Sequence, residues 1–164
     1  MAEADGSMVL RLMTPADVLR VVDVQEPGAV RGLSEVFPQD LYPFPRRTVE
    51  ERWLLEIETP GIDCYVVELG STIAGFAATR GDEVLHFGIA VEYWGSGLAA
   101  TAHDAVLAQL RREGVRRAWL TVFTANRRGR RFYERLGWDW TGERTQSSYP
   151  PFAELLRYER LLEP

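Results

Sequence analysis

Gly95, Ser96 and Gly97 stand between an apolar run at 84–91 and an amphipathic run that begins at Leu98. Two glycines in three positions let several backbone N–H groups converge without side chains in the way, and a helix starting at once adds the positive end of its dipole. The chemistry such a turn suits is the holding of an anion, above all a phosphate. Gly95-Ser96-Gly97-Leu98-Ala99-Ala100 also spells GxGxxA. The dinucleotide turn, however, opens a parallel sheet and has an acid closing its next strand; here three strand runs come first and the next strand closes on Thr124-Ala125-Asn126. A nucleoside-triphosphate loop is excluded more simply, because the chain has no lysine. Two other reactive types remain. Cys64, followed by the apolar Tyr65-Val66-Val67, reads as a small core residue, whereas His86, on the run leading into the turn, is of the residue type whose unperturbed pKa, ~6.5, suits proton transfer.

The elements that must position this turn follow from the periodicity around it. Runs at 64–69, 72–79 and 84–91 are of strand length and are separated by Gly70-Ser71 and Arg80-Gly81-Asp82, turns short enough for an antiparallel meander. Past the turn, Leu98, Ala102, Ala105, Val106 and Leu110 mark one face of a helix that Gly114 stops. A strand at 118–124, a short helix at 127–136 and a final strand pair at 138–142 and 155–162 complete the second half. Strand, helix, strand makes the central pair parallel inside an otherwise antiparallel sheet. Upstream, a short strand at 9–12 precedes Thr14-Pro15-Ala16-Asp17, which opens a helix carrying Leu19 and Val22. The aromatic and proline-rich stretch 37–45 reads as a structured loop, and Thr48-Val49-Glu50-Glu51 opens a helix with Val49, Trp53 and Ile57 on one face. The expected class is α/β with a mixed sheet, one domain over 1–164, residues 1–7 being a tail.

With 164 residues, 46% of them hydrophobic and 26% charged, the chain is long enough for one substantial core. No apolar run reaches the ~20 residues of a membrane span and the acidic start lacks a signal peptide's apolar centre, so a cytoplasmic protein without membrane partners is expected. One cysteine excludes an internal disulfide, and no metal centre is expected. Charge is unevenly spread. Residues 111–131 hold eight arginines against one glutamate, a net +7 in a chain whose total is −5. A local basic cluster in an acidic protein argues for one polyanionic ligand at one place rather than for nucleic acid. Residues 1–104, by contrast, carry a net −10, which suits a cationic partner on that side.

IAVEYWGSGLAA, followed after one helix and one strand by TANRRGRRFYERLGW, resembles the GNAT superfamily of acetyl-CoA-dependent N-acetyltransferases, and the order of elements over 8–163 fits that fold. The family pattern (Q/R)-x-x-G-x-(G/A) falls on 94–99 with Trp94 in place of Gln or Arg, as in the branch resembling ribosomal-protein N-terminal acetyltransferases. Val91 stands where proline is common. The resemblance implies a central parallel pair splayed to admit acetyl-CoA, its pyrophosphate on the amides of Trp94, Gly95, Ser96, Gly97, Leu98 and Ala99. Its pantetheine arm would pair with Ile89, Ala90 and Val91. The family's asparagine and tyrosine fall on Asn126 and Tyr133, with Arg130 between them also assigned to the cofactor.

The implied reaction is direct attack of a primary amine, a small amine or a peptide N-terminus, on the thioester in a ternary complex. Backbone N–H in the Ile89 region meets the oxyanion and Tyr133 protonates the departing thiolate. His86 and Glu83 are the candidate bases. The run 119–124 has no glutamate, which weighs against a peptide substrate. The acceptor would enter between the 37–45 loop and Tyr149-Pro150-Pro151, where Phe37, Tyr42, Phe44 and Tyr149 offer aromatic faces to a cation. A reading of another class is a catalytically silent CoA-binding or protein-interaction module; a homodimer fits either.

Overall fold

The computed structural model describes residues 7–163. Strand β1 (Met8–Leu12) leads through Thr14 into a 3-10 turn, Pro15–Asp17, and helix α1 (Val18–Gly32). The Thr14 backbone N–H donates to the Asp17 carboxylate at 2.8 Å, so the capping box forms as its spacing predicts. Of the two apolar residues read on this helix, Val22 is buried with Val18 and Val21, but Leu19 is 63% exposed. Helix α2 (Arg46–Glu58) starts ahead of Thr48 because the loop before it is tied to Gln39, which donates to the carbonyls of Phe37 and Tyr42 and accepts from the Phe44 N–H.

Strands β2 (Ile62–Leu69), β3 (Thr72–Arg80) and β4 (Glu83–Ile89) form the meander, helix α3 (Leu98–Arg112) crosses over to β5 (Arg117–Phe123), and α4 (Arg127–Arg135) precedes β6 (Asp139–Gln146) and β7 (Glu154–Leu161). The strand order is β1-β2-β3-β4-β5-β7-β6, antiparallel at every step except β4 beside β5. On one face α1 and α2 pack around Trp53, Val66 and Phe76; on the other α3 and α4 pack around Leu107, Leu120, Trp138 and Tyr158. Phe76 lies flat across its cross-strand partner Gly88, where a Cβ would come within 2.4 Å of the ring. No helix among the described residues is long and apolar enough to cross a membrane.

Candidate active site

β4 and β5 share one aligned residue pair, Glu83 with Trp119, at the start of both strands, whereas β5 runs beside β7 along its whole length. The parallel pair is therefore joined at its beginning and open toward its carboxyl ends. At the open end the Ala90 N–H donates to the Ala74 carbonyl of β3 at 2.8 Å. Polar groups alternate along a strand, so those of Ile89 point the other way, into the opening.

Of the expected edge Ile89, Ala90 and Val91, only Ile89 presents itself, and its carbonyl is already engaged. Ala90 is bound to β3, Val91 has left the strand for a 3-10 turn with Glu92 and Tyr93, and that turn brings the Trp94 indole N–H to the Ile89 carbonyl at 3.0 Å. The glycine turn follows, with Gly95 and Gly97 at φ 79° and 89°, a region that favours glycine. Of the six amides expected to face an anion, three are engaged: Trp94 to the Val91 carbonyl, Ser96 to the Tyr93 carbonyl and Leu98 to the Ser96 hydroxyl. Those of Gly95, Gly97 and Ala99 have no partner among the described residues, and they gather at the N-terminus of α3, where the helix dipole favours negative charge.

Across the opening, Asn126 caps α4, its side-chain carbonyl accepting from the Gly129 N–H at 2.9 Å. A Cβ at Gly129 would meet the asparagine amide at 2.5 Å and displace this cap. The oxygen of Asn126 is thus committed to its own helix, and the amide nitrogen is what it can offer a ligand. Two turns on, Tyr133 packs edge-to-face on Phe132 and Trp138, and its hydroxyl has no hydrogen-bond partner among the described residues. Burial pushes this phenol above its ordinary pKa, so it is protonated at neutral pH and can act as a donor.

The acetyltransferase (GNAT) family profile matches residues 29–138, from the second half of α1 to the residue after the glycine that follows α4. The chain belongs to the GNAT family. Among solved structures it is similar to PaiA N-acetyltransferase from Thermoplasma acidophilum in complex with coenzyme A, with a TM-score of 0.78 and 19% identity over 94% of this chain and 99% of that one. It is likewise similar to spermidine N-acetyltransferase from Vibrio cholerae in complex with CoA and spermine (TM-score 0.71, 17% identity, 94% and 95% covered). A third is the ribosomal-protein-S18-alanine N-acetyltransferase of Escherichia coli (TM-score 0.70, 16% identity, 96% of each chain). These likenesses establish the fold. No curated protein matches the chain.

Within this GNAT fold the two expected bases lie apart from Tyr133. Glu83 is buried at the joined end of β4, six residues before Ile89 and hence ~20 Å from the opening, where Arg80 Nη2 donates to it at 2.7 Å. His86 faces α2, its Nε2 2.9 Å from a Glu56 carboxylate oxygen and its ring edge-on to Trp53, while Tyr133 packs on the opposite face of the sheet. Arg130 is also turned from the expected direction. Its guanidinium donates to the Thr124 carbonyl and the Tyr158 hydroxyl, and Tyr158 in turn donates to Glu134.

Arg130 instead lines a cavity of about 600 Å³ with Arg127, Glu35, Phe123, Thr124 and Glu154. It opens between Glu35 and Val36, just ahead of the 37–45 loop, and the β6–β7 loop, and the aromatics expected to line an acceptor entry are placed otherwise: Phe37 packs edge-on against Phe123, Phe44 joins the core under α2, and Tyr149 is 50% exposed. Sequence reasoning missed Glu154, whose Oε1 accepts from the Thr124 hydroxyl at 2.8 Å and from Arg144. No spacing in the sequence signals it, because β7 meets β5 only through the sheet. The basic segment is also divided by the fold. Arg111, Arg112, Arg116 and Arg117 lie at the far end of α3, ~20 Å of helix from Gly97, so only the α4 arginines stand near the opening.

Proposed function

We propose that the protein is an acetyl-CoA-dependent N-acetyltransferase acting on a primary amine by direct attack in a ternary complex. The observation that carries this reading is the parted β4–β5 pair with three unspent amides, those of Gly95, Gly97 and Ala99, at its lip. Those amides fit a pyrophosphate and the opening fits an extended arm, with the Asn126 amide nitrogen as a further donor. Acetyl-CoA supplies the thioester. The chain supplies positioning, the Ile89 N–H for the carbonyl oxygen, and the Tyr133 hydroxyl proton for the departing sulfur.

In this reading the acceptor enters by the cavity lined by Glu35 and Glu154, and one of these carboxylates, rather than His86 or Glu83, takes the ammonium proton. Glu35 and Glu154 stand on this wall beside Arg127 and Arg130, so charge alone does not select a polyamine; similarity to the spermidine enzyme keeps a polyamine in view, and similarity to the ribosomal-protein enzyme a peptide N-terminus. One observation favours the silent CoA-binding module as a second reading: Trp94 already occupies the Ile89 carbonyl. Incubating the protein with acetyl-CoA and a panel of polyamines, simple amines and alanine-starting peptides, and measuring free CoA, separates the two. Amine-dependent thiol release supports the enzyme; CoA binding with no release for any amine supports the module.

A further inference from the structure

Trp94 is held from several sides. The guanidinium carbon of Arg128 lies 3.4 Å from the centre of its ring and that of Arg31 lies 5.6 Å away. Its N–H holds the Ile89 carbonyl, and the far edge of the ring rests on α1 where Gly28 and Gly32 leave room, a Cβ at Gly32 standing 3.6 Å from it. The ring face is thus fixed, and Arg128, which belongs to the segment after β5, reaches across the opening to lie on it.

The two guanidinium groups have no carboxylate partner among the described residues, and partial burial together with the charge of Arg31 works against the charge of Arg128. An arginine does not relieve that cost by giving up its proton, so the group that relieves it is an anion. Trp94 is also the residue that opens the glycine turn, whose amides at Gly95, Gly97 and Ala99 are unspent. Cations and amides with nothing to bind converge on one short stretch of chain.

We propose that Arg128, held on the Trp94 ring, binds the pyrophosphate of CoA together with the amides of Gly95, Gly97 and Ala99, and that Trp94 is the positioning residue that fixes its guanidinium. The proposal rests on the acetyl-CoA reading and adds to it a residue from the opposite lip of the cleft. Binding of the phosphates then ties the two parted strand ends together.

The test is calorimetric titration with CoA and, separately, with pantetheine, which has the arm but no phosphates. Arg128→Gln should weaken CoA about tenfold or more while leaving pantetheine unchanged, and should flatten the salt dependence of CoA binding. Trp94→Ala should reproduce the CoA loss, and Trp94→Phe, which keeps a ring under the guanidinium, should restore most of it. CoA affinity of Arg128→Gln within about twofold of the parent overturns the proposal. An equal loss for CoA and pantetheine also overturns it, since Arg128 would then shape the cleft rather than meet phosphate. Failure of the parent chain to bind CoA removes the acetyl-CoA reading itself, and this inference with it.

Discussion

The Trp138 indole N–H donates to Nε2 of His103 at 2.9 Å, with both rings buried between α3 and the sheet. An indole can only donate, so Nε2 is an acceptor and the imidazole proton sits on Nδ1, facing the Asp104 carboxylate at 2.9 Å. A second proton would need the place Trp138 occupies, and burial lowers the pKa of His103 despite Asp104. The unfolded chain, with an ordinary histidine, therefore binds the proton first, and stability should fall as pH drops through ~6.5. Melting temperatures from pH 8 to 5.5 should decline, and His103→Phe should make the decline shallower. Identical slopes for parent and variant would show that this histidine is not the cause.

Tyr133→Phe should lower kcat by ~10² to ~10⁴ while leaving CoA affinity and melting temperature nearly unchanged. The structure sharpens the expectation, because the hydroxyl has no protein partner to orphan among the described residues. Steady-state rates, calorimetry and a thermal melt on the same preparation check it. A comparable fall in stability would make Tyr133 a packing residue.

Gly97→Val should weaken CoA binding by at least about tenfold and cost about 1–3 kcal/mol of stability. Nothing lies within 4 Å of a Cβ placed there, so the fold has room for the side chain; the strain comes from φ 89°, which a β-branched residue resists. Unchanged affinity in a folded variant would mean that the turn is not the phosphate site.

Asp17→Ala should destabilise the fold by about 1–3 kcal/mol, read by urea unfolding, Arg11 being partly exposed and still paired with Glu68. The carboxylate accepts from both terminal nitrogens of Arg11 and from the Thr14 N–H, with a side chain 4% exposed. These donors, Arg11 foremost, hold its pKa well below the usual carboxylate range. Its contribution is therefore complete well above the unfolded value of ~4 and is lost progressively as pH falls from there toward the folded one, so at pH 5 the parent still holds nearly all of it.

For a polyamine acceptor, kcat/KM should fall as ionic strength rises from about 0.01 M to about 0.15 M, over which the screening length shrinks from ~30 Å to ~8 Å. Glu35→Gln should lower the rate at low salt and flatten the profile. A flat profile for the best polyamine in the parent protein would remove an electrostatic role for Glu35 in receiving the acceptor.

What was legible in the sequence was local. The meander, the glycine turn and the α4 helix each announce themselves by period and by punctuation within a dozen residues, and the family motifs fix Asn126 and Tyr133 in order. What was not legible depends on partners distant in the chain. The exposure of Leu19, the engagement of the Ile89 carbonyl by Trp94, the turning of Arg130 toward Tyr158 and the entry of Glu154 into the cavity are decided by packing between elements. Charge counting misled for the same reason. Eight arginines within 111–131 look like one patch only until α3 and β5 carry half of them to the far end of the sheet.

β7 comes last among the strands in chain order but lies inside the sheet, between β5 and β6. During synthesis β5 must wait with an unpaired edge until residues 154–161 leave the ribosome, and β6, fully exposed along its length, has nothing to hold it to the sheet before then. The cavity wall at Glu154 arrives in the same late step, so a chain stopped before it would lack that wall and be open to joining its bare strand edge with that of another copy.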